Sequence, residues 1–233
     1  MKIKTIVWLT FFSIAMSYME SAVVIYLRKI YYPGGFQFPL VPMETNIAMV
    51  ELFREAATLI MLLGVGVLSA QKASLRFACF IFCFAVWDLF YYIFLWVFLG
   101  WPQSLFTWDI LFLIPVPWLG PVIAPCIISI SLLLLALSIF HFQRLGLATR
   151  LKVNEWGLLS VGSFLVILSF IWDYWKYVRD QKLYEMANTF SGSQNMFNEL
   201  KEYVPVEFNW PLFLAGEFIL LFGIILFMHR IKK

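Results

Sequence analysis

The sequence predicts an all-α fold: a polytopic bundle of six transmembrane helices in one integral-membrane domain, residues 1–233. Composition is the first indication, because 62% of the residues are hydrophobic and the mean hydropathy is +0.84, whereas about half the residues of a soluble domain are apolar. Run length is the second, because a spanning helix needs about 20 apolar residues. The runs that reach this length lie at about 5–27, 45–69, 77–99, 119–140, 156–176 and 211–229.

The first run begins like a signal peptide, with the basic residues Lys2 and Lys4 ahead of apolar residues. The apolar stretch of a signal peptide is short and ends at a small-residue cleavage site. Here the run continues past Glu20 as far as Leu27. We therefore expect an uncleaved first span.

The segment 105–114 is apolar but too short to cross a bilayer alone. It is followed by Pro115, Pro117 and Pro121, and proline interrupts helices because it lacks a backbone donor. The sequence predicts a short half-helix at the outer membrane surface here, or the bent beginning of the fourth span.

Orientation follows from the basic residues, which collect in cytoplasmic loops. Ten Lys and Arg residues flank the runs on the side of the two termini, and six lie on the opposite side. Both termini are therefore predicted to be cytoplasmic, and loops 28–44 and 177–209 to face outward. We expect a multi-pass protein of the cell membrane, either a plasma membrane or an inner membrane.

Acidic residues interrupt the apolar runs, where lipid should exclude them. Ionisable groups at membrane depth are costly, and they usually face a protein interior or a wet cavity. Six lie in the spans and a seventh in the predicted half-helix: Glu20, Glu51, Glu55, Asp88, Asp173, Glu217 and Asp109. With the predicted orientation, all except Asp88 lie in the outer half of the membrane or at its outer boundary, and Asp88 lies near the middle.

Arg54 lies between two of these acids on the second span. Spacings of three and four residues place Glu51, Arg54, Glu55 and Thr58 on one helical face. One interpretation is a self-neutralised structural cluster. The other is a ligand site, since the guanidinium fork also binds carboxylates and phosphates.

Two spans share a local pattern, because Val86–Tyr92 and Ile171–Tyr177 both read apolar-Trp-Asp-x-aromatic-x-Tyr. Each Tyr, Tyr92 or Tyr177, follows its Asp by four residues, so we expect it to donate to that carboxylate. A Trp-Pro pair and a further acid follow each copy, first Asp109 and then Glu217. This pattern favours a tandem repeat, which membrane proteins use to build a site at the repeat interface. Trp87, near mid-span, is expected to line an interior surface.

The residues Trp87-Asp88, Trp101 and Trp108-Asp109, continuing to Phe112 and Pro115, form a spaced motif. Over about thirty residues the motif resembles that of the small integral-membrane lycopene cyclases, which have tandem three-helix units. Those cyclases carry adjacent glutamates where this chain has Trp108-Asp109. The resemblance implies an isoprenoid or lipid-like substrate.

Several chemistries find no support in the sequence. Basic residues lie at the ends of the runs and form no patch for nucleic acid. Cys79, Cys83 and Cys126 lie inside apolar runs, so we predict neither a disulfide framework nor a zinc site. No metal site is predicted, and the sequence assigns no cofactor.

The sequence therefore predicts an outward-facing pocket of carboxyl groups around Arg54, acting on an amphipathic or isoprenoid-like lipid by acid–base chemistry. The candidate catalytic residues are Glu51, Glu55, Asp88, Asp109, Asp173 and Glu217. The candidate substrate-binding residues are Arg54, Glu20, Tyr92, Tyr177 and Trp87.

Two other functions stay open: an accessory subunit of a larger membrane complex, and a small proton- or cation-coupled transporter. The three functional hypotheses require different arrangements of the acids in the structure. Acids that converge on an enclosed pocket favour the enzyme or binder, and a polar path between both faces favours the transporter. Acids that pair off between helices without a cavity favour the subunit.

Overall fold

A computed structural model describes residues 2–41, 43–114, 116–180 and 203–232, and these contain six α-helices and one β-hairpin. The helices, numbered α1 to α6, are Ile3–Tyr31, Thr45–Leu68, Ala73–Leu99, Ile123–Arg144, Val153–Asp180 and Trp210–Lys232. Each matches one predicted run. The part of the predicted outer loop from 181 to 202 lies outside the described residues.

Five helices, all except α2, are long and apolar enough to cross a membrane. This confirms the prediction of a helical, multi-pass membrane protein. The exception, Thr45–Leu68, carries Glu51, Arg54 and Glu55 in its first half. That α2 is a sixth span, and that both termini are cytoplasmic, stay predictions.

The prediction of a half-helix at 105–114 is wrong, and so is the alternative that this segment begins the fourth span. Residues Trp108–Phe112 form strand β1, which pairs antiparallel with strand β2, Trp118–Pro121. The physical reason is local: aromatic and β-branched residues suit a strand, and the prolines that follow stop a helix from continuing. Because β2 occupies the residues where the fourth run begins, α4 starts only at Ile123.

We call α1, α2 and α3 the first helix group and α4, α5 and α6 the second, and the two groups meet where α4 packs on α3. Helices α1 and α2 pack on α3, α5 packs on α6, and α4 contacts both α3 and α6. The hairpin connects α3 to α4, and β2 also touches α5. We call the end of the bundle that carries this hairpin the hairpin end, and the opposite end, where α1 begins and α6 finishes, the terminal end.

Two glycines allow α5 and α6 to approach closely. A Cβ atom added to Gly216 would lie 2.8 Å from the carbonyl oxygen of Gly162, and one added to Gly162 would lie 2.7 Å from Cγ of Leu220. Small residues at a membrane helix crossing let the two backbones pack together. The contact fixes α6 against α5.

An ion pair between a buried acid and a partly buried arginine joins the same two helices at the terminal end. The Glu155 side chain is fully buried, and Arg230 donates to both of its oxygens, from Nε at 2.6 Å and from Nη2 at 2.9 Å. The backbone N–H of Lys152 also donates to Glu155. Glu155, in the first turn of α5, therefore holds the end of α6 against α5, which is a structural role.

Candidate functional site

A cavity of about 320 Å³ lies at the hairpin end, between α1, α2, α3 and β1. Five carboxyl groups and two guanidinium groups line it, and we call it the acid cavity. These charged residues are Glu20, Glu51, Glu55, Asp88, Asp109, Arg28 and Arg54. Residues Tyr32 and Phe36, from the segment between α1 and α2, also line it. Its volume lies at the lower end of the range for small-molecule sites.

The Arg54 guanidinium lies between two carboxylates. Nε and Nη2 donate to Oε2 of Glu51 at 2.9 and 2.7 Å, and Nη1 donates to Oε1 of Glu20. Thr58 donates to the other oxygen of Glu20 at 3.0 Å. Arg54 therefore joins α1 to α2, and its donors are directed at protein carboxylates.

A second arginine, Arg28, holds Asp109. Its Nη2 donates to Oδ1 of Asp109 at 2.9 Å, and both side chains are buried. The guanidinium carbon lies 3.7 Å from the ring centre of Trp101 and 4.4 Å from that of Phe36, within the range of cation–π attraction. Burial raises the pKa of the Asp109 carboxyl above its ordinary value, and the neighbouring Arg28 only partly offsets this shift.

The other two acids of the cavity have no cation among the ion pairs of the described residues. Both oxygens of Glu55 accept from the backbone N–H of Leu113 at 2.9 Å, which fastens the hairpin to α2. Asp88 accepts one hydrogen bond, at 2.7 Å, from the hydroxyl of Ser129 on α4. Asp88 is thus a buried carboxyl held by a neutral donor.

Some buried donors in this cavity lack a partner. Among the described residues, Nη1 of Arg28 and Nε1 of Trp87 are buried side-chain donors without a hydrogen bond, and both residues line the cavity. Buried polar groups are normally satisfied. These two donors therefore lie on residues of the cavity wall and are left unsatisfied by the described residues.

Eight of the eleven residues predicted for the site line the acid cavity, and three do not: Asp173, Glu217 and Tyr177. Asp173 accepts from the hydroxyl of Tyr203 at 2.6 Å and from the backbone N–H of Val206, so it holds the segment before α6 against α5. Ser131 of α4 donates to Glu217. Tyr177 packs its ring against Tyr203, with centroids 5.0 Å apart. The distant acids connect elements of the second helix group.

The position of the Tyr92 hydroxyl differs from the sequence prediction. It was expected to donate to Asp88, but it lies beside Asp109, and Ser129 donates to Asp88 instead. Asp88 packs toward α4, whereas the longer Tyr92 side chain reaches the hairpin. The repeat pattern also places its second acids differently, Asp109 on a strand and Glu217 on a helix.

Sequence reasoning missed Arg28, Ser129, Tyr32 and Tyr91 as site residues. Arg28 shares the polar face of the first span with Glu20, and that spacing was the available signal. Ser129 and Tyr91 carry no such signal, because single hydroxyls occur throughout membrane helices. Ser129 reaches Asp88 because α4 packs on α3, and Tyr91 lines the acid cavity because α1 and α2 pack on α3.

A second cavity, of about 470 Å³, adjoins the first and is lined almost entirely by apolar side chains of α3, α4 and α5. We call it the apolar cleft. Asp88 is its one charged lining residue, and Leu111 and Phe112 of β1 also line both cavities. The Phe112 ring packs against Phe84 and Trp87, with centroids 6.3 and 6.4 Å apart. It therefore lies in the partition between the cavities.

Comparisons with protein-family models, with characterised proteins and with solved structures give no match. The class of protein thus comes from the chain itself. Its apolar helices make it a multi-pass membrane protein.

Proposed function

We propose that this membrane protein binds an amphipathic, isoprenoid-like lipid, with the polar end of the lipid in the acid cavity, and acts on it by acid–base chemistry. The observation that carries the proposal is the convergence of five carboxyl groups from α1, α2, α3 and β1 on one cavity. Convergent polar groups in a well-formed pocket are the usual mark of a binding or active site.

The charged groups of the acid cavity determine which kind of polar head group the ligand carries. Five carboxyl groups face two guanidinium groups, and Arg54 already donates to Glu20 and Glu51. A phosphate or carboxylate would meet an excess of acids and no open arginine fork. A hydroxyl suits the site better, because it can accept from the unpartnered Arg28 and Trp87 donors and donate to a carboxylate.

Asp88 is the acid best placed to exchange a proton with the ligand. Within the described residues it accepts one hydrogen bond, from the neutral hydroxyl of Ser129, whereas Asp109, Glu20 and Glu51 are held by arginines. One carboxyl of the cavity would donate a proton to the substrate, and a carboxylate would remove one from another position. Substrate and product are then isomers, so the step needs no oxidant or reductant.

The same geometry favours this function over the alternatives. A transporter needs a polar path between both membrane faces, but the space beyond Asp88 is apolar. A purely structural set of acids would leave no cavity. Ion pairs that join elements do exist, both at the acid cavity, where Arg54 joins α2 to α1, and away from it, where Arg230 joins α6 to α5. At the acid cavity they surround an open space, and Asp88 and Glu55 line that space without an ion-pair partner among the described residues.

The experiment compares two amphiphiles on the purified protein in detergent: a long-chain primary alcohol and the phosphate monoester of the same chain. A ligand that binds the folded protein raises its melting temperature by mass action. We expect the alcohol to stabilise the wild-type protein in a concentration-dependent way, and the phosphate ester to do so much less.

The matched variant is Asp88→Asn, which keeps the size of the side chain and an acceptor for Ser129. The alcohol should stabilise this variant less than the wild type, while its melting temperature without ligand stays close to that of the wild type. Equal stabilisation of both proteins, or a stronger effect of the phosphate ester, would contradict the proposal.

A further inference from the structure

The apolar cleft has the shape of a chain-binding site. On α3 its lining residues Phe77, Phe84 and Asp88 repeat at helical spacing, and eleven residues of helix span about 16 Å. On α5 the lining runs from Trp156 to Phe170, or about 21 Å at the same rise. The cleft is therefore elongated along the bundle axis, as an extended hydrocarbon chain is.

The cleft lies where the two helix groups separate. Its walls come from α3 and α5, and α4 forms its floor. Near the terminal end the walls meet through the rings of Phe77 and Trp156, with centroids 4.9 Å apart. Ser160 and Ser163 of α5 line the cleft and are exposed. The cleft thus has a closed end at Trp156 and an open side along α5.

The end of the apolar cleft that is nearer the hairpin end of the bundle adjoins the acid cavity. Asp88, Leu111 and Phe112 line both spaces. A molecule with its polar end at Asp88 therefore has an apolar space next to it, on the side of the terminal end. The polar and apolar halves of an amphiphile need two such environments in contact.

We propose that the apolar cleft holds the hydrocarbon chain of the ligand whose polar end occupies the acid cavity, and that its closed end sets the chain length the protein accepts. This inference rests on the proposed function and names the part of the ligand that the acid cavity cannot hold. The chain enters from the bilayer along the open side of α5, beside Ser160 and Ser163.

The test uses straight-chain primary alcohols of increasing length and measures their apparent dissociation constants from thermal stabilisation of the purified protein. Each methylene group buried in the cleft should tighten binding about fourfold, until the chain reaches Trp156. Beyond that length, further methylene groups should add little.

Two variants fill the cleft at different depths: Ser163→Phe and Ser160→Phe. In both variants we expect the increase in affinity per added methylene group to stop at a shorter chain than in the wild type. The limiting chain should be shortest in Ser163→Phe, because Ser163 lies nearer to Asp88 than Ser160 does. The shortest alcohols should bind as they do to the wild type. The control is Val161→Phe, which adds the same ring to an exposed position of α5 outside the cleft lining.

The outcomes separate the two proposals. If all variants melt like the wild type and bind every alcohol with wild-type affinity, the cleft does not hold the chain, although binding that needs Asp88 would still support the proposed function. If no alcohol of any length binds the wild type, both proposals fail. If Val161→Phe shifts the length dependence as much as Ser163→Phe does, the chain lies on the outer surface of α5 and the inference is overturned.

Discussion

Arg28 of α1 and Asp109 of β1 form a buried ion pair at 2.9 Å, 81 residues apart in the chain. The pair fastens the hairpin to the first helix group, and the rings of Trp101 and Phe36 pack on the guanidinium. Two surfaces of the acid cavity, α1 and β1, are therefore held together by charge.

Breaking this pair should destabilise the protein strongly. Arg28→Gln leaves Asp109 buried without its cation, and removing one partner of a buried pair costs about 3–5 kcal/mol. Asp109→Asn should have a similar effect, and the double variant should lose less than the sum of the two. Thermal unfolding of the four proteins in detergent measures the coupling. Additive losses would show that the pair contributes no net attraction.

The glycine contact between α5 and α6 gives a second prediction. Gly216→Ala places a methyl group 2.8 Å from the carbonyl oxygen of Gly162, so the helices must move apart, at a cost of about 1–3 kcal/mol. Gly157→Ala is the matched control on α5, where an added Cβ meets nothing within 4 Å. It should be neutral or stabilising. Equal melting temperatures for both variants would mean that α5 and α6 do not pack as described.

The distant acids give a third prediction, which reverses the one made from the sequence. Glu217→Gln and Asp173→Asn alter carboxyl groups that lie outside the acid cavity. Both variants should bind a long-chain alcohol as the wild type does, after correction for any change in stability. Loss of binding in a stable Glu217→Gln protein would extend the site to α6, contrary to the cavity as described.

Acid–base chemistry gives a fourth prediction, which can be tested before the product is known. When the protein is incubated in deuterated water with an unsaturated isoprenoid alcohol, proton exchange should place deuterium on carbon, as detected by mass spectrometry. Asp88→Asn should lose this incorporation while retaining its fold. Incorporation that is the same in Asp88→Asn would assign the proton transfer to another group.

The orientation of the chain in the membrane gives a fifth prediction. In a variant with Cys79, Cys83 and Cys126 replaced, a cysteine introduced at Gly34 should react with a membrane-impermeant reagent from outside the cell. One introduced at Ala148 should react only after the membrane is opened. The opposite pattern would reverse the orientation derived from the basic residues.

The helices were predictable because run length and hydropathy are local properties of the chain. All six predicted runs correspond to helices, within a few residues at each end. The hairpin was not predictable in the same way, because β1 depends on pairing with β2 across intervening prolines. A short apolar segment fits a half-helix or a strand equally well until its partner is known.

The acid cavity was predictable in part. Topology placed most of the acids near one end of the bundle, and Glu20, Glu51 and Arg54 do meet there. Topology could not separate Asp173 and Glu217 from the others, because depth in the membrane does not say which helices are neighbours. The Ser129 donor to Asp88 likewise depends on how α3 packs against α4.

The central claim is that the acid cavity binds the polar end of an amphiphile, and photolabelling tests it most directly. The probe is a long-chain alcohol with a photoreactive group beside the hydroxyl, and labelled residues are identified by mass spectrometry with and without unlabelled alcohol. We predict competed labelling on the α3 stretch from Trp87 to Tyr92 and on β1. Labelling spread over the exposed faces of all the helices, unaffected by the competitor, would contradict the claim.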